Sequence, residues 1–293
     1  MIDLKDLQCL SALARHKHFA RAAKDCGISQ PAFSMRIRKI EERLQTSIVK
    51  RGNRFQGLTD DGNMIVRHAR SIMDKVEFFE QEYRSSKGQI SGSLKLGVIP
   101  TALGYAGHLL IDLRREFPNI VARIETASSL AIHQGIEDGR FDAGITYTDG
   151  APADFLQVEP LYIETYELLV PFAIAPRVNG AVTWAEAAKL PLTLLEPGMQ
   201  NRRIVDQVFE HVGATPNVIA ETSGFTSAIV IAVEGLAATV VPKGLVKSLG
   251  GSSGAATLPL IDPVVEKSVS LVTAIREEGM PILQALRSVV DKS

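Results

Sequence analysis

Gln30, Ser34 and Arg38 recur every four residues and so share one helical face, flanked by Pro31 and Met35, with Arg36 in the same run. Amide, hydroxyl and guanidinium groups placed this way can hydrogen-bond to base edges. Glutamine suits adenine, arginine suits guanine or a phosphate, and serine serves either base or backbone. Farther on, Arg51 and Arg54 flank a Gly52-Asn53 turn, where they would neutralise phosphates without reading sequence, and Thr59 closes the block. Solvated polar residues without a partner would satisfy the same residue types, so the elements that position them must decide.

Leu4, Leu7, Leu10, Leu13 and Ala14 line one face of a first helix ending near His16. A short second helix is expected over 19–25, with Ala20, Ala22 and Ala23 small enough for close packing. Cys26-Gly27-Ile28 makes a tight turn, with glycine where a positive φ costs little. Ser29 then caps a third helix over 29–44, whose first turn tolerates Pro31. Phe33, Ile37, Ile40 and Leu44 give that helix a buried stripe away from the polar face. Two helices joined by a short glycine-containing turn form a helix-turn-helix, and the segment 48–59 reads as a hairpin wing beside it.

Charge follows the same division. The chain of 293 residues has a net charge of −1, yet residues 1–90 carry 17 Lys+Arg against 11 Asp+Glu, and residues 15–54 carry 11 against 3. A basic N-terminal module on an acidic body fits binding to nucleic acid by one part of the molecule. Hydrophobic residues at 45% are ordinary for a soluble multidomain protein. Neither a membrane span nor a leader peptide is expected, and the compartment expected is the cytosol. Cys9 and Cys26, the two cysteines, match no zinc spacing and read as small core thiols of the N-terminal module, with a thiol redox switch as the alternative.

A long helix follows the wing. Ile65, Ala69, Ile72, Val76, Phe79 and Tyr83 are spaced 4, 3, 4, 3, 4, an a/d seam that favours a dimeric coiled coil. A two-fold dimer would present two reading helices to an inverted-repeat site. The Ser/Gly-rich stretch 85–93 is expected to end the helix as a joint.

Beyond it, apolar strands at 94–99, 120–124 and 141–147 alternate with helices at 103–117 and 129–138, and a second such set runs from 168 to 242. That alternation argues for βαβ units and a parallel sheet. Ligands of open α/β sheets sit beyond strand C-termini, beside helix N-termini. Thr101, Ser128, Ser129 and Tyr147 occupy such places in the first set, Gln200 and Arg202 in the second. Hydroxyls plus an arginine would suit a small organic anion, although helix capping alone would also explain a serine there. No Gly-x-Ser-x-Gly elbow, GxxxxGK[ST] loop or HExxH motif occurs, and His16, His18, His68, His108, His133 and His211 have no metal-ligand spacing. Neither catalytic residues, nor a metal, nor a cofactor are expected.

Several blocks together resemble the LysR-type transcriptional regulators: Phe19-Ala20-Arg21-Ala22-Ala23, Ile28-Ser29-Gln30-Pro31-Ala32-Phe33-Ser34, and Gly57-Leu58-Thr59-Asp60-Asp61-Gly62. Pro100-Thr101, Phe141-Asp142-Ala143-Gly144-Ile145 and Val233-Glu234-Gly235-Leu236-Ala237 extend the resemblance into the body. It implies an α/β multidomain chain: a winged helix-turn-helix over 1–60, a linker helix over 61–90, and a two-lobed, periplasmic-binding-protein-like effector domain over 91–293. Lobe I would take about 91–162 and 269–293, lobe II about 163–268. The resemblance further implies a dimer of dimers on double-stranded promoter DNA, bent under control of a small-molecule effector, with RNA polymerase as a partner. A solute-binding sensor with an N-terminal assembly module, and an enzyme working in the cleft, stand as alternatives.

Overall fold

The computed structural model describes residues 1–50, 55–85, 90–148, 155–175, 180–251, 253–275 and 279–292. Helix α1 (Leu4–His16) begins in a capping box between Asp3 and Asp6, and α2 (Phe19–Asp25) leads through Gly27, at φ +66°, into α3 (Gln30–Leu44). Ser29 caps α3 by accepting from the Ala32 amide at 3.4 Å. Phe33, Ile37 and Ile40 are buried against Leu10, Leu13 and Ala22, a burial of about 1.5–3 kcal/mol for each large side chain. Leu44, expected to extend the stripe, is 37% exposed, because α3 ends there in the left-handed Gln45 cap. The wing is present as an antiparallel Val49–Leu58 bridge, with the Lys50 amide 3.0 Å from Gly57 O. Arg51 and Arg54 lie outside the described residues.

Helix α4 (Asp60–Ser85) spans 26 residues and joins the head to the body. In the body, β1 (Gly92–Val98), α5 (Leu103–Glu116), β2 (Ile120–Thr126), α6 (Ser129–Glu137) and β3 (Ala143–Tyr147) follow in order. Next come β4 (Leu156–Glu164), β5 (Tyr166–Pro171), β6 (Val182–Thr183), α7 (Trp184–Ala187), β7 (Leu192–Leu195) and α8 (Gln200–His211). The chain finishes with β8 (Val218–Thr222), α9 (Phe225–Val233), β9 (Thr239–Pro242), α10 (Leu245–Ser248), β10 (Ala255–Ile261), β11 (Lys267–Ala274) and α11 (Pro281–Val290).

Strand order β2-β1-β3-β11-β4 defines lobe I, whereas β6-β10-β5-β9 and the β7-β8 pair define lobe II. Thr165, between β4 and β5, carries the chain from one lobe to the other, and the segment between β10 and β11 brings it back. A purely parallel sheet does not form. β1, β2 and β3 are parallel as βαβ units require, but β11 returns from lobe II and runs antiparallel to both β3 and β4.

Small residues fix α6 on its sheet. A Cβ at Gly135 would collide with the Phe141 ring, and one at Gly144 with Ile132, so α6 lies directly on β1 and β3. Such close contact leaves the helix no play relative to the strands.

Candidate DNA-reading face and effector cleft

Helix α3 presents Gln30, Pro31, Met35 and Arg38 to solvent, with Ser34 half-buried beside them. Its buried stripe points the other way, so the polar face is outermost on the head. Glu41 on α3 accepts from the Ile48 and Val49 amides at 2.7 and 3.1 Å, which ties the wing base to the same helix.

Two residues expected on this face do other work. Arg36 turns back onto α1, 2.7 Å from Asp6 and 3.2 Å from Asp3. Asp6 is buried, and a carboxylate there needs cationic partners, so Arg36 is drawn inward. Thr59 donates to Ser47 O at 2.5 Å and accepts from the Gly62 amide at 2.9 Å, capping α4.

The expected pairing seam divides as well. Ala69 is 1% exposed in the core of the head, and Ile65 packs beside it, so Ala69 is closed to any partner. Ile72, Phe79 and Tyr83 stand in solvent at 45, 67 and 57% exposure, and Val76 borders a cavity between head and body. The reason is that α4 begins packed on α1, burying Val66 and Ala69.

Five of the six expected effector residues meet at one cleft between the lobes. Thr101, Ser128, Ser129 and Tyr147 from lobe I face Gln200 from lobe II across a cavity of about 150 Å³. Each sits where strand register predicts: Thr101 just beyond β1, Tyr147 at the end of β3, the serines at the start of α6, Gln200 at the start of α8. Ile99, Leu195, Met199 and Phe225 supply apolar walls.

Arg202 is the exception. Its guanidinium is held by Asp206 at 2.7 Å, Glu221 at 2.8 Å and the Leu195 carbonyl at 2.6 Å, and it lies outside the cleft lining. No charged side chain borders the cavity among the described residues. The arginine on which an organic-anion ligand was expected is therefore spent inside lobe II.

Behind the cleft lies a polar floor that sequence reasoning did not find. Tyr147 donates to Glu164, its hydroxyl lies 3.3 Å from Thr101 Oγ1, and Asn201 donates to the Tyr166 hydroxyl at 3.4 Å. Glu164 is 4% exposed, and burial raises its pKa above the ordinary carboxylate value, with hydrogen bonds from Tyr147, Thr101 and Tyr166 opposing that rise. Burial, reinforced by Glu164, also pushes the Tyr147 hydroxyl up, so it stays protonated and remains a donor. The one available signal was the Glu164-Thr165-Tyr166 run at the lobe crossing. Among the described residues, no cluster of His, Cys, Asp or Glu is placed to hold a metal ion, and no helix is long and apolar enough to cross a membrane.

A reading helix on a basic head, joined by a long helix to a two-lobed cleft domain, defines a DNA-binding transcriptional regulator with an effector-binding domain. Residues 4–63 match the family model for the bacterial regulatory helix-turn-helix protein, lysR family, and residues 87–292 match the LysR substrate binding domain. The chain belongs to the LysR family of transcriptional regulators.

Among its relatives, the DNA-binding transcriptional dual regulator OxyR of Escherichia coli K12 is 28% identical over 99% of this chain and 96% of its own. A hydrogen peroxide-inducible genes activator of Haemophilus influenzae is 26% identical over 92% of this chain and 90% of its own. In structure, a full-length cysteine-to-aspartate variant of OxyR from Pseudomonas aeruginosa superposes with a TM-score of 0.78 at 25% identity, covering 99% of this chain and 95% of that one. CbnR in complex with its target DNA gives a TM-score of 0.63 at 19% identity over 99% of both chains, a likeness of fold.

Proposed function

We propose that this regulator reads promoter DNA with Gln30, Ser34 and Arg38, with Pro31 and Met35 packing against the same groove, and responds to a compact, uncharged effector held between its lobes. The convergence of Thr101, Ser128, Ser129 and Tyr147 with Gln200 on one uncharged, largely apolar cleft carries this reading. The exposed Ile72, Phe79 and Tyr83 stripe supports pairing of two chains through α4, and further assembly into a tetramer is carried over from the family resemblance. Effector binding would favour one arrangement of the paired heads, altering the DNA bend and access for RNA polymerase. The compartment we propose is the cytosol, where promoter DNA is found.

Occupancy, not oxidation, is the proposed signal. Relatives of this chain are named for hydrogen peroxide, and one solved neighbour is an OxyR in which a cysteine was replaced by aspartate. In this chain both cysteines, Cys9 and Cys26, lie in the head, and residues 87–292 contain none. Peroxide chemistry on a protein thiol needs a cysteine at the responding site.

The test has two arms on the full chain. Binding sites selected from random duplexes should yield a specific sequence bound with a steep salt slope, lost when Gln30→Ala is combined with Ser34→Ala. A library of uncharged metabolites screened by thermal shift should give a hit that Tyr147→Phe and Gln200→Ala weaken. A matched library of carboxylates is screened alongside, and hits confined to it, insensitive to both substitutions, would overturn the proposed ligand class.

A further inference from the structure

We propose that Arg70 is the positioning residue that holds the DNA-binding head on lobe I, and that α6 connects it to the cleft. Adjacent residues of α4 face different bodies: Ala69 is buried in the core of the head, whereas the Arg70 guanidinium reaches lobe I. There it donates to Glu137 O at 2.9 Å and to Asp138 Oδ1 at 3.1 Å. Glu137 ends α6 and Asp138 caps it. The last carbonyls of a helix lack partners within it and carry the negative end of its dipole, so a guanidinium fork bonded to one of them and to the cap carboxylate fits that end closely. Arg70 is 8% exposed, and Lys17, the cap of α1, brings a second head cation to 3.9 Å from Asp138.

The opposite end of α6 is in the cleft. Ser128 caps it and Ser129, its first residue, lines the cavity. The helix between them is 9 residues long, about 14 Å. Among the described residues Ser129 Oγ is buried without a hydrogen-bond partner, which leaves it for an occupant of the cleft. Because α6 rests on Gly97 and Gly144 through Phe141 and Ile132 without slack, helix and strands turn as one body, so a reorientation of lobe I by an occupant at Ser129 is carried to Asp138.

The remaining contacts between head and body are compatible with this role. Lower on α4, Phe78 packs beside Gly279 on the lobe I core, a second anchor near α11. Between α1, α4 and lobe I lies a cavity of about 420 Å³ bordered by Ser11, Arg15, Met73, Ser93 and Lys95. Arg70 and Asp138 themselves line this cavity, so their clasp joins head to lobe I at its edge.

The assignment of Arg70 needs no effector, so its test is separate from that of the proposed cleft ligand; only the coupling to occupancy rests on the cleft reading. Full-length Arg70→Ala, Asp138→Asn, Arg70→Asp, Asp138→Arg and the double reversal are compared for operator affinity and for DNA bend by end-to-end energy transfer. Each single change should shift affinity or bend by about tenfold, the ordinary scale of coupling between sites, and the double reversal should recover only the part carried by the ion pair, because a carboxylate at position 70 cannot donate to Glu137 O. A wedge in the cleft, Gln200→Trp, should alter amide exchange over residues 66–72 in the Arg70 chain and leave it unchanged in Arg70→Ala. Folded single variants that bind and bend DNA like the wild type would overturn the proposal. So would a double reversal no better than its parents, or a wedge that acts equally in both backgrounds. If a reversal does not fold, Arg70→Lys gives the same decision, because an ammonium keeps the charge and loses the fork.

Discussion

Arg36 Nη1 lies 2.7 Å from Asp6 Oδ1, and Arg43 Nη1, two turns farther along α3, lies 3.1 Å from the other oxygen of the same carboxylate. One buried aspartate on α1 thus clamps the reading helix at two points. Asp6→Asn should destabilise the head by about 2 kcal/mol, the scale of a lost charge-assisted bond, measured by urea titration. Arg36→Ala should lower stability and leave the selected DNA sequence unchanged. A changed consensus would return Arg36 to the groove.

Gln30 and Arg38 should fail differently. Gln30→Ala should cost about 1–3 kcal/mol at one base position and relax specificity there. Arg38→Ala should weaken all sequences alike and reduce the salt slope by about one, as loss of a phosphate contact does; loss of discrimination at a single base would make Arg38 a base reader instead. Titrations of the selected operator and of single-base variants across a salt series separate the two.

The exposed stripe of α4 should govern assembly. Phe79→Glu places a charge at a site 67% exposed in the isolated chain, so the fold should survive while self-association weakens. Sedimentation velocity reads this directly; an unchanged assembly would remove α4 from the interface.

Glu164 gives the body a pH signature. Its folded pKa is raised above the ordinary 4.5 by burial, so the folded state holds the proton more tightly than the unfolded chain. The stability this provides is full below the unfolded value and is lost as pH rises from 4.5 through the folded value. Glu164→Gln removes that dependence. Its melting temperature relative to wild type should therefore climb from acid toward neutral pH, and a parallel pair of curves would contradict the reading.

Neither thiol should act as a sensor. Burial pushes Cys9 up to about 12 and also raises Cys26, whereas alkylation and peroxide both require the thiolate. In the folded chain at neutral pH, iodoacetamide should label both far more slowly than a free peptide thiol, and peroxide should leave operator affinity unchanged. Mass spectrometry after timed quenching checks the first, a gel shift the second.

Legibility in the sequence tracked the distance between partners. The head could be read because its determinants are local: the Ser29 cap, the Gly27 turn, and the 4-3 spacing of Phe33, Ile37 and Ile40. Arg36 could not, since its partner Asp6 stands thirty residues away on another helix. For Arg202, the ion pair with Asp206 four residues on was visible, but Glu221 and the Leu195 carbonyl became neighbours only after β7 and β8 paired. Strands β4 and β10 were missed because Pro160 and Pro259 interrupt their patterns. β4 is an edge strand, where proline costs little, and Pro259 falls where β10 exchanges partner β5 for β6. The cleft lining followed from strand ends, whereas the Glu164 floor depends on the chain crossing between lobes, which no local pattern encodes.

Helix α4 serves three neighbours in turn: the head at Val66 and Ala69, lobe I at Arg70 and Phe78, and solvent or a second chain at Ile72, Phe79 and Tyr83. These faces are related by rotation about a single axis, so the length of the helix is as constrained as its composition. One residue inserted after Ala69 would leave the head intact and turn everything beyond it by about 100°. Arg70 would leave the end of α6 and the outward stripe would face sideways. Substitutions along α4 can be absorbed one neighbour at a time; insertions and deletions break all the later registers at once.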